Sequence, residues 1–314
     1  MRPRAGGQMA RFLAASTIVA RLPALILLVT AAWAAVPAAA CPFCGTVGRS
    51  LAQRRDEAAA VAVGDAVGDA VGDAATDRNG TPSQRFQLDQ LLRTDGRAAH
   101  AGETVTARVD GAVAGTAVLF GTLDPAAPGG DPPSLRWTAT PADETLLGYV
   151  AAAPPISRPA AERLRWFAAR LEHPDPVIAA DAFAEFGLAP YADVRTAAAA
   201  IDPARLRSWV GEAGIDARRR GLYGLLLGVV ATATRDPTES TACVAALHRA
   251  ISAPADDFRA GFDGLLAGVL VAEGERGLDF LRTLGLLGRT GRPLDQRHLL
   301  AALRFAWDNL ADTI

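Results

Sequence analysis

The feature that most constrains the fold of this chain is a twelve-residue segment that occurs twice, forty residues apart. Arg219–Val230 reads RRGLYGLLLGVV and Arg259–Leu270 reads RAGFDGLLAGVL, with seven identical positions. Similarity at a period of about 40 is typical of stacked helical repeats, in which each helix pair buries its apolar face against its neighbours. The second half of the chain is therefore predicted to be a helical array.

Glycines recur at matching positions in both copies, with Gly221, Gly224 and Gly228 spaced to fall close to one helix face. Each glycine inside a helix costs about 1 kcal/mol relative to alanine. A close helix crossing explains that cost, so the glycines predict a packing seam and not a ligand groove. A membrane span is disfavoured, because the apolar run from Leu222 to Ala233 is shorter than the roughly 18 to 20 residues that a bilayer requires.

The charge balance excludes one class of partner. All 32 basic residues are arginine and the formal net charge is −2. After residue 40 no region carries the basic excess that a phosphate backbone requires. We therefore expect no nucleic-acid partner.

Residues 1–40 have the order of a secretory signal peptide. Four arginines precede the apolar run from Leu22 to Val36, and the small residues Ala38 to Ala40 follow it. Cleavage before Cys41 predicts an exported protein, periplasmic or extracellular. Two alternatives stay open: residues 22–40 are long enough to remain as a membrane anchor, and Cys41 is a candidate for bacterial lipidation.

Cys41-Pro42-Phe43-Cys44 is the short motif with the clearest chemical potential, and it is identical to the active-site motif of glutaredoxins. Such a pair at a helix N-terminus exchanges disulfides through a thiol of lowered pKa. A thioredoxin-like fold, however, requires a strand before the motif and a βαβ pattern after it. We expect either a local Cys41–Cys44 disulfide or a pair of unreactive thiols, with thiol–disulfide exchange as the alternative. No histidine follows Cys44 and no second Cys-x-x-Cys exists, which disfavours haem or metal.

The segment from 58 to 138 is predicted to form a small β-barrel or sandwich. Short apolar segments rich in β-branched residues alternate with glycine-bearing turns. Val-Gly-Asp-Ala occurs three times between Val63 and Ala74, without the spacing of known calcium loops. The predicted strands are Ala58–Val63, Arg85–Leu92, Thr104–Val109, Thr116–Gly121 and Leu135–Thr138.

The order of elements in this half resembles netrin-like domains. A cysteine at the mature N-terminus is followed by a helical segment from Val47 to Ala60, an alternating strand and then Phe86-x-Leu88-x-x-Leu91-Leu92-x-x-x-Gly96. The resemblance implies an OB-type barrel. The later cysteines of eukaryotic members are missing, so no binding residue is carried over from that family.

The second half carries repeated helix-start signals, in which a capping oxygen precedes proline, as in Asp175-Pro176, Asp202-Pro203 and Asp236-Pro237. The apolar spacing between these signals is helical and predicts about ten helices in antiparallel pairs up to Leu310. Three tryptophans lie in these stripes and are expected in the core, and Cys243 is expected to be a buried small hydrophobe. The tryptophans are Trp166, Trp209 and Trp307.

Residues 163–187 resemble a HEAT repeat, with a first helix, a turn containing Asp-Pro and a second helix carrying Val177 and Ala180 to Ala182. The resemblance implies a curved helical array that binds partners along one face and is rarely an enzyme. The glycine segments then direct attention to the residues that flank them. The candidate partner-binding residues, expected to be exposed, are Arg219, Tyr223, Arg259 and Asp263.

Catalytic and cofactor motifs are missing from the sequence. The four histidines lie far apart and none has a second ligand at i+4, so no metal site is predicted. Gly-x-Ser-x-Gly, phosphate-loop and dinucleotide-binding patterns are also missing, so no cofactor is expected. The sequence thus predicts an α+β multidomain protein comprising a signal peptide (1–40), a small all-β OB/netrin-like domain (41–139) and an all-α HEAT-like array (140–314). The expected function is that of an exported, non-enzymatic interaction or scaffold protein with a protein partner. The alternative is a thiol-disulfide oxidoreductase that uses Cys41 and Cys44.

Overall fold

The fold is known from a computed structural model. It describes residues 47–68, 75–76, 82–94, 99–123, 134–254, 259–288 and 292–310. The predicted signal peptide, Cys41 and Cys44 lie outside these residues, as does the part of the Val-Gly-Asp-Ala repeats from Asp69 to Ala74.

The described chain begins with a short helix, α1 (Leu51–Glu57). Ser50 caps it: its hydroxyl accepts a hydrogen bond from the Gln53 N–H at 3.1 Å, and the Gln53 side chain accepts from the Ser50 N–H at 3.2 Å. This reciprocal capping box satisfies two N–H groups that a helix start leaves unpaired. The helix is shorter than the predicted segment from Val47 to Ala60, because the chain turns into extended structure at Ala58.

Six strands follow, and five of them close into a barrel. The strands are β1 (Ala60–Ala66), β2 (Ala75–Thr76), β3 (Pro82–Thr94), β4 (Thr104–Arg108), β5 (Thr116–Leu123) and β6 (Leu135–Pro141). The sheet runs in the order β1-β5-β6-β4-β3-β2, and an additional β1–β3 pairing closes the circle. Strands β4 and β6 are parallel, and the other pairs are antiparallel. The predicted small β domain is therefore a barrel and not a sandwich.

Closure of the barrel depends on a glycine in β1. A Cβ placed on Gly64 would lie 2.4 Å from the carbonyl oxygen of Gln87 in the paired strand β3. The pairing also shifts register beside this glycine, between Val63 and Gly64. Such irregularities bend and twist a strand, as a small barrel requires. The interior is filled by a cluster that includes Phe86, Leu88, Leu119 and Trp137.

Ten helices follow the barrel in the described part of the chain. They are α2 (Glu144–Ala152), α3 (Ala160–Ala168), α4 (Pro176–Leu188), α5 (Tyr191–Ala198), α6 (Pro203–Gly211), α7 (Ala217–Ala233), α8 (Pro237–Ser252), α9 (Phe262–Glu273), α10 (Glu275–Thr283) and α11 (Pro293–Leu310). The three Asp-Pro signals mark true helix starts. Asp175, Asp202 and Asp236 each cap a helix whose first residue is the proline.

The two copies of the repeated segment form helices α7 and α9, which contact each other at their glycines. A Cβ on Gly228 would lie 2.1 Å from the Gly268 carbonyl oxygen, and one on Gly264 would lie 2.1 Å from the Gly221 oxygen. Residue numbers at the contact increase in the same direction along both helices, so α7 and α9 run parallel. We call this contact the glycine seam (Gly221, Gly224, Gly228, Gly261, Gly264 and Gly268). The predicted close crossing is confirmed.

One hydrophobic cluster joins the barrel to the helices. It includes Val61 and Phe120 of the strands, residues of α1 and the buried residues of the helices as far as Ala306. The described parts of residues 40–314 belong to a single compact unit. Whether the two parts fold independently at the predicted boundary near residue 139 stays a prediction.

The tryptophans do not share one environment. Trp209 is buried in α6 and lies 4.8 Å from the Tyr223 ring, and Trp166 is half-buried beside Tyr149. Trp307 is 80% exposed on α11, so its predicted place in the core is wrong. Trp307 does lie in a helix, as its spacing predicts. The side of α11 that carries Leu300 and Trp307, however, is not covered by any other described element.

This difference predicts unequal stability effects. Trp209→Ala should lower the free energy of unfolding by about 3 kcal/mol or more, because it removes a buried aromatic side chain. Trp307→Ala should change it by less than about 0.5 kcal/mol. Urea unfolding monitored by circular dichroism measures both, and comparable losses in the two variants would contradict the positions described.

Candidate anion-binding groove

One candidate site on the helical region is a groove of about 580 Å³ bounded by α6, α7, α8 and the start of α9. Four arginines line it, namely Arg207, Arg220, Arg249 and Arg259. No lining residue in the described part of the chain is acidic. We call this site the arginine groove.

Two of the four guanidinium groups are engaged by carboxylates outside the lining. Arg207 of α6 forms an ion pair with Glu239 of α8. Arg259 donates to both carboxylate oxygens of Asp295, at 2.8 and 3.3 Å, and its guanidinium lies 3.4 Å from the centre of the Phe262 ring. These contacts hold both side chains in fixed positions.

The other two arginines keep most of their charge for a ligand. Arg220 donates to the carbonyl oxygens of Glu212 and Ile215, at 2.8 and 3.4 Å, while its buried Nε has no hydrogen-bond partner among the described residues. Arg249 is exposed on α8, and within the described ranges its guanidinium has no hydrogen-bond or ion-pair partner. No carboxylate of the described residues therefore neutralises either of these two guanidinium groups.

The rest of the lining is apolar and small. Val210, Leu265 and the Phe262 ring contribute part of it, and six alanines contribute much of the remainder. An apolar wall excludes water from a ligand, and each ion pair made beside it is stronger than one in open solvent. The alanines are Ala213, Ala217, Ala246, Ala250, Ala253 and Ala260.

The glycine seam brings the two sides of the groove together. A Cβ on Gly221 would lie 2.8 Å from the Cα and carbonyl oxygen of Gly261, so the two backbones touch there. Gly221 directly follows Arg220, and Gly261 lies two residues after Arg259. Gly261 also has a φ of +76°, which favours glycine over any other residue. The seam thus fixes how far apart these two arginines lie.

Tyr223, expected to be an exposed partner-binding residue, is fully buried. Its hydroxyl donates to the Glu172 carboxylate at 2.5 Å, and burial raises its pKa. The expectation of exposure is wrong, because α7 is covered on all sides: its glycine face by α9 and its other faces by α6 and α8. Arg219 is also mostly covered and forms an ion pair with Glu172 at 3.1 Å.

The structure places the other two candidate residues at the start of α9. Arg259 lines the arginine groove, as described above. Asp263 lies outside the groove lining, accepts from the Gly264 N–H at 3.0 Å and has one carboxylate oxygen 3.5 Å from Nδ1 of His298. Whether Arg219, Arg259 or Asp263 contacts a partner stays a prediction.

The cysteine pair is not part of the described structure, so the predicted disulfide and the redox alternative stay predictions. Cys243 is buried in α8, as expected. Burial raises the pKa of its thiol, although Arg207 lies 3.9 Å from the sulfur. A buried thiol of raised pKa is a poor nucleophile, so Cys243 is part of the core and not of a reactive site.

A second polar cluster is buried between α1 and α4. One Asp181 carboxylate oxygen accepts from the Leu51 N–H at 2.6 Å, and the other accepts from the Tyr149 hydroxyl at 2.6 Å. Burial raises the pKa of Asp181 despite these two donors. Asp181 is 7% exposed and lies outside the lining of the arginine groove.

Glu185 lies one helical turn further along α4 and belongs to the same cluster. It accepts from the Ser50 hydroxyl and forms an ion pair with Arg163. Burial raises its pKa as well. Because both carboxylates bind the first residues of α1, the cluster attaches that helix to the helical region. We call Asp181 and Glu185 the α1 clamp.

Comparison with models of known protein families, with curated proteins and with solved structures finds no match to the chain. In the ranges that the structure describes, no helix is both long and apolar enough to cross a membrane. The same ranges hold no group of three His, Cys, Asp or Glu side chains placed to bind a metal.

Proposed function

We propose that this chain is an exported, non-enzymatic interaction protein whose helical region binds a partner protein. The observation that carries the proposal is the arginine groove, an open cleft with an apolar wall and two arginines that no carboxylate of the described residues neutralises. Open sites of this composition suit the binding of a polypeptide segment, since charge fixes its position and small apolar side chains exclude water.

A HEAT-like array is the finer fold that we propose for the helical region. The contact between α7 and α9 supports it, because the two copies of the repeated segment run parallel with an offset of about forty residues. Equivalent helices of successive repeats stack in this way in helical solenoids. Such arrays bind partners on surfaces formed by several repeats, and the arginine groove is formed by residues of both copies and of the helices between them.

For the β part we propose the OB-type barrel that the netrin-like resemblance implies. Numbering the five barrel strands in chain order gives the closed order 1-2-3-5-4-1, with the third and fifth strands parallel. The helix α1 before the first strand also fits the resemblance. The exposed β3–β4 surface presents Arg85, Gln87 and Thr106 without aromatic side chains, so it lacks the stacking platform of barrels that bind single-stranded nucleic acid.

Photo-cross-linking in the cells from which the chain comes tests the proposed function. A photoreactive amino acid replaces Ala213, an exposed residue of the groove, or Thr106, an exposed residue of the barrel. We expect a discrete protein adduct from position 213 and none from position 106. Adducts from position 106 alone, or from neither position, would contradict partner binding by the helical region.

The alternative function, thiol–disulfide exchange, depends on the four residues Cys41 to Cys44. An insulin-reduction assay that compares the mature chain with its Cys41→Ser variant separates it from the proposed function. Equal rates remove the redox alternative.

A further inference from the structure

We propose that the ligand of the arginine groove is an acidic segment of the partner, in which carboxylates pair with Arg220 and Arg249 while small aliphatic side chains pack on the alanine wall. The inference rests on the proposed function, since it names the chemistry of the partner at that site. It can also fail independently, because a partner can bind elsewhere on the helical region.

The charge of the groove requires an anionic ligand. Glu239 and Asp295 neutralise Arg207 and Arg259 from outside the lining; the first pair links α6 to α8, and the second links the start of α9 to α11. Arg249 and the buried Nε of Arg220 have no such partner among the described residues. An exposed guanidinium beside an apolar wall, such as that of Arg249, gains a charge-assisted hydrogen bond when a ligand carboxylate pairs with it.

The apolar wall favours an acidic peptide over other anionic ligands. A free phosphate ion fills only a small part of about 580 Å³ and leaves the alanines uncovered. A nucleotide requires an aromatic face for its base, and the Phe262 ring in the lining is already covered by Arg259 at 3.4 Å. An alternating sequence of glutamate and alanine meets both requirements, because it carries charge and small aliphatic groups.

The groove is accessible and firmly built. Arg249, Ala213 and Pro254 are exposed at its rim, so a segment of another chain can enter from solvent. At its base the backbones of α7 and α9 touch at Gly221 and Gly261. A site that is rigid before binding loses little conformational entropy when it is occupied.

Fluorescence anisotropy with a labelled Glu-Ala repeat peptide and the full mature chain tests this inference. We expect saturable binding that weakens as salt is raised, and no binding of the matched Gln-Ala peptide. Arg249→Glu should weaken binding by about tenfold or more, since it replaces a charge-assisted hydrogen bond with repulsion. Arg235→Glu is the matched control, because Arg235 is exposed and lies outside the groove lining.

Further arms identify the source of the anion. Inorganic phosphate and vesicles containing phosphatidylglycerol are added as competitors, and Arg220→Ala serves as a second groove variant whose folding is checked by thermal unfolding. Binding of the Gln-Ala peptide, unchanged affinity in Arg249→Glu, or an equal loss in Arg235→Glu would overturn the inference. Displacement of the peptide by vesicles at lower concentration than by unlabelled peptide would assign the groove to a lipid surface instead and would also overturn it. An adduct from position 213 together with any of these results would leave the proposed function standing.

Discussion

Gly268→Ala should lower the free energy of unfolding by about 3 kcal/mol or more. The new Cβ would lie 2.1 Å from the carbonyl oxygen and 2.7 Å from the carbonyl carbon of Gly224. Both atoms belong to the backbone of α7, so no side chain can rotate away to make room. Relief requires α7 and α9 to separate, which opens the core around them.

Gly148→Ala is the matched control for this prediction. Gly148 lies within α2, is exposed, and a Cβ there would meet nothing within 4 Å. Replacing such a helical glycine should raise the free energy of unfolding by about 0.5 to 1 kcal/mol, because alanine loses less backbone entropy on folding. Urea unfolding of the two variants measures both effects. Gly268→Ala as stable as the unmodified chain would show that the helices do not touch at this position.

Asp181→Ala should have the second large effect, a loss of about 3 to 5 kcal/mol. Without the carboxylate, the Leu51 N–H and the Tyr149 hydroxyl lose their acceptors in a buried site. Each unsatisfied buried donor costs about 1 to 3 kcal/mol. Because both groups attach α1 to the helices, amide hydrogen exchange in residues 51–57 should also accelerate.

Asp181→Asn is the conservative variant, because an amide has the same shape as the carboxylate. Its oxygen can accept from the Leu51 N–H, and its NH2 group can donate to the Tyr149 hydroxyl oxygen. We expect its loss to be well below that of Asp181→Ala, and similar losses in the two would contradict the α1 clamp.

The two variants also predict a pH dependence. Burial raises the pKa of Asp181, so the folded chain holds this proton more strongly than the unfolded chain does. The stability that this provides is fully present below the ordinary aspartate pKa of about 3.9 and is lost as pH rises through the folded value. Asp181→Asn removes that contribution, and Glu185, whose pKa is raised too, retains a contribution of the same sign. Unfolding measured between mildly acidic and neutral pH should therefore show a flatter profile for Asp181→Asn.

Local signals in the sequence predicted most elements of the fold. The Asp-Pro pairs located three helix starts, because a capping carboxylate followed by a proline in the first turn acts without any tertiary contact. The five predicted barrel strands are present with shifts of a few residues at their ends. The glycine seam was predictable for another reason: spaced glycines in a helix are unfavourable unless another backbone packs against them.

Exposure was harder to predict than secondary structure. Tyr223 has a polar hydroxyl and lies beside three arginines, yet it is buried because α7 is surrounded by α6, α8 and α9. For Trp307 the opposite prediction is wrong: it lies in a helical stripe of apolar residues and was expected to be buried, but it is 80% exposed. Both outcomes depend on which helices pack around the residue, and the period of its own helix carries no such information.

The arginine groove was not predictable from the sequence. Its four arginines come from α6, α7, α8 and the segment before α9, and the first and last lie more than fifty residues apart. Arg218 to Arg220 form a dense basic cluster in the sequence, and a cluster of this kind ordinarily indicates a solvated helix end. Only the contact at Gly221 and Gly261 brings Arg220 and Arg259 to one cleft. In the sequence, the repeated glycines are the one feature that points to Arg220 and Arg259, because both arginines lie within two residues of a seam glycine.

Amide hydrogen exchange of the full mature chain, with and without the Glu-Ala peptide, tests directly whether the arginine groove beside the glycine seam binds an acidic segment. On peptide addition we expect slower exchange in the segments that line the groove, 207–220, 246–254 and 259–265, and no change in the barrel. Protection confined to the barrel, or protection of the groove segments that persists in Arg249→Glu, would contradict it.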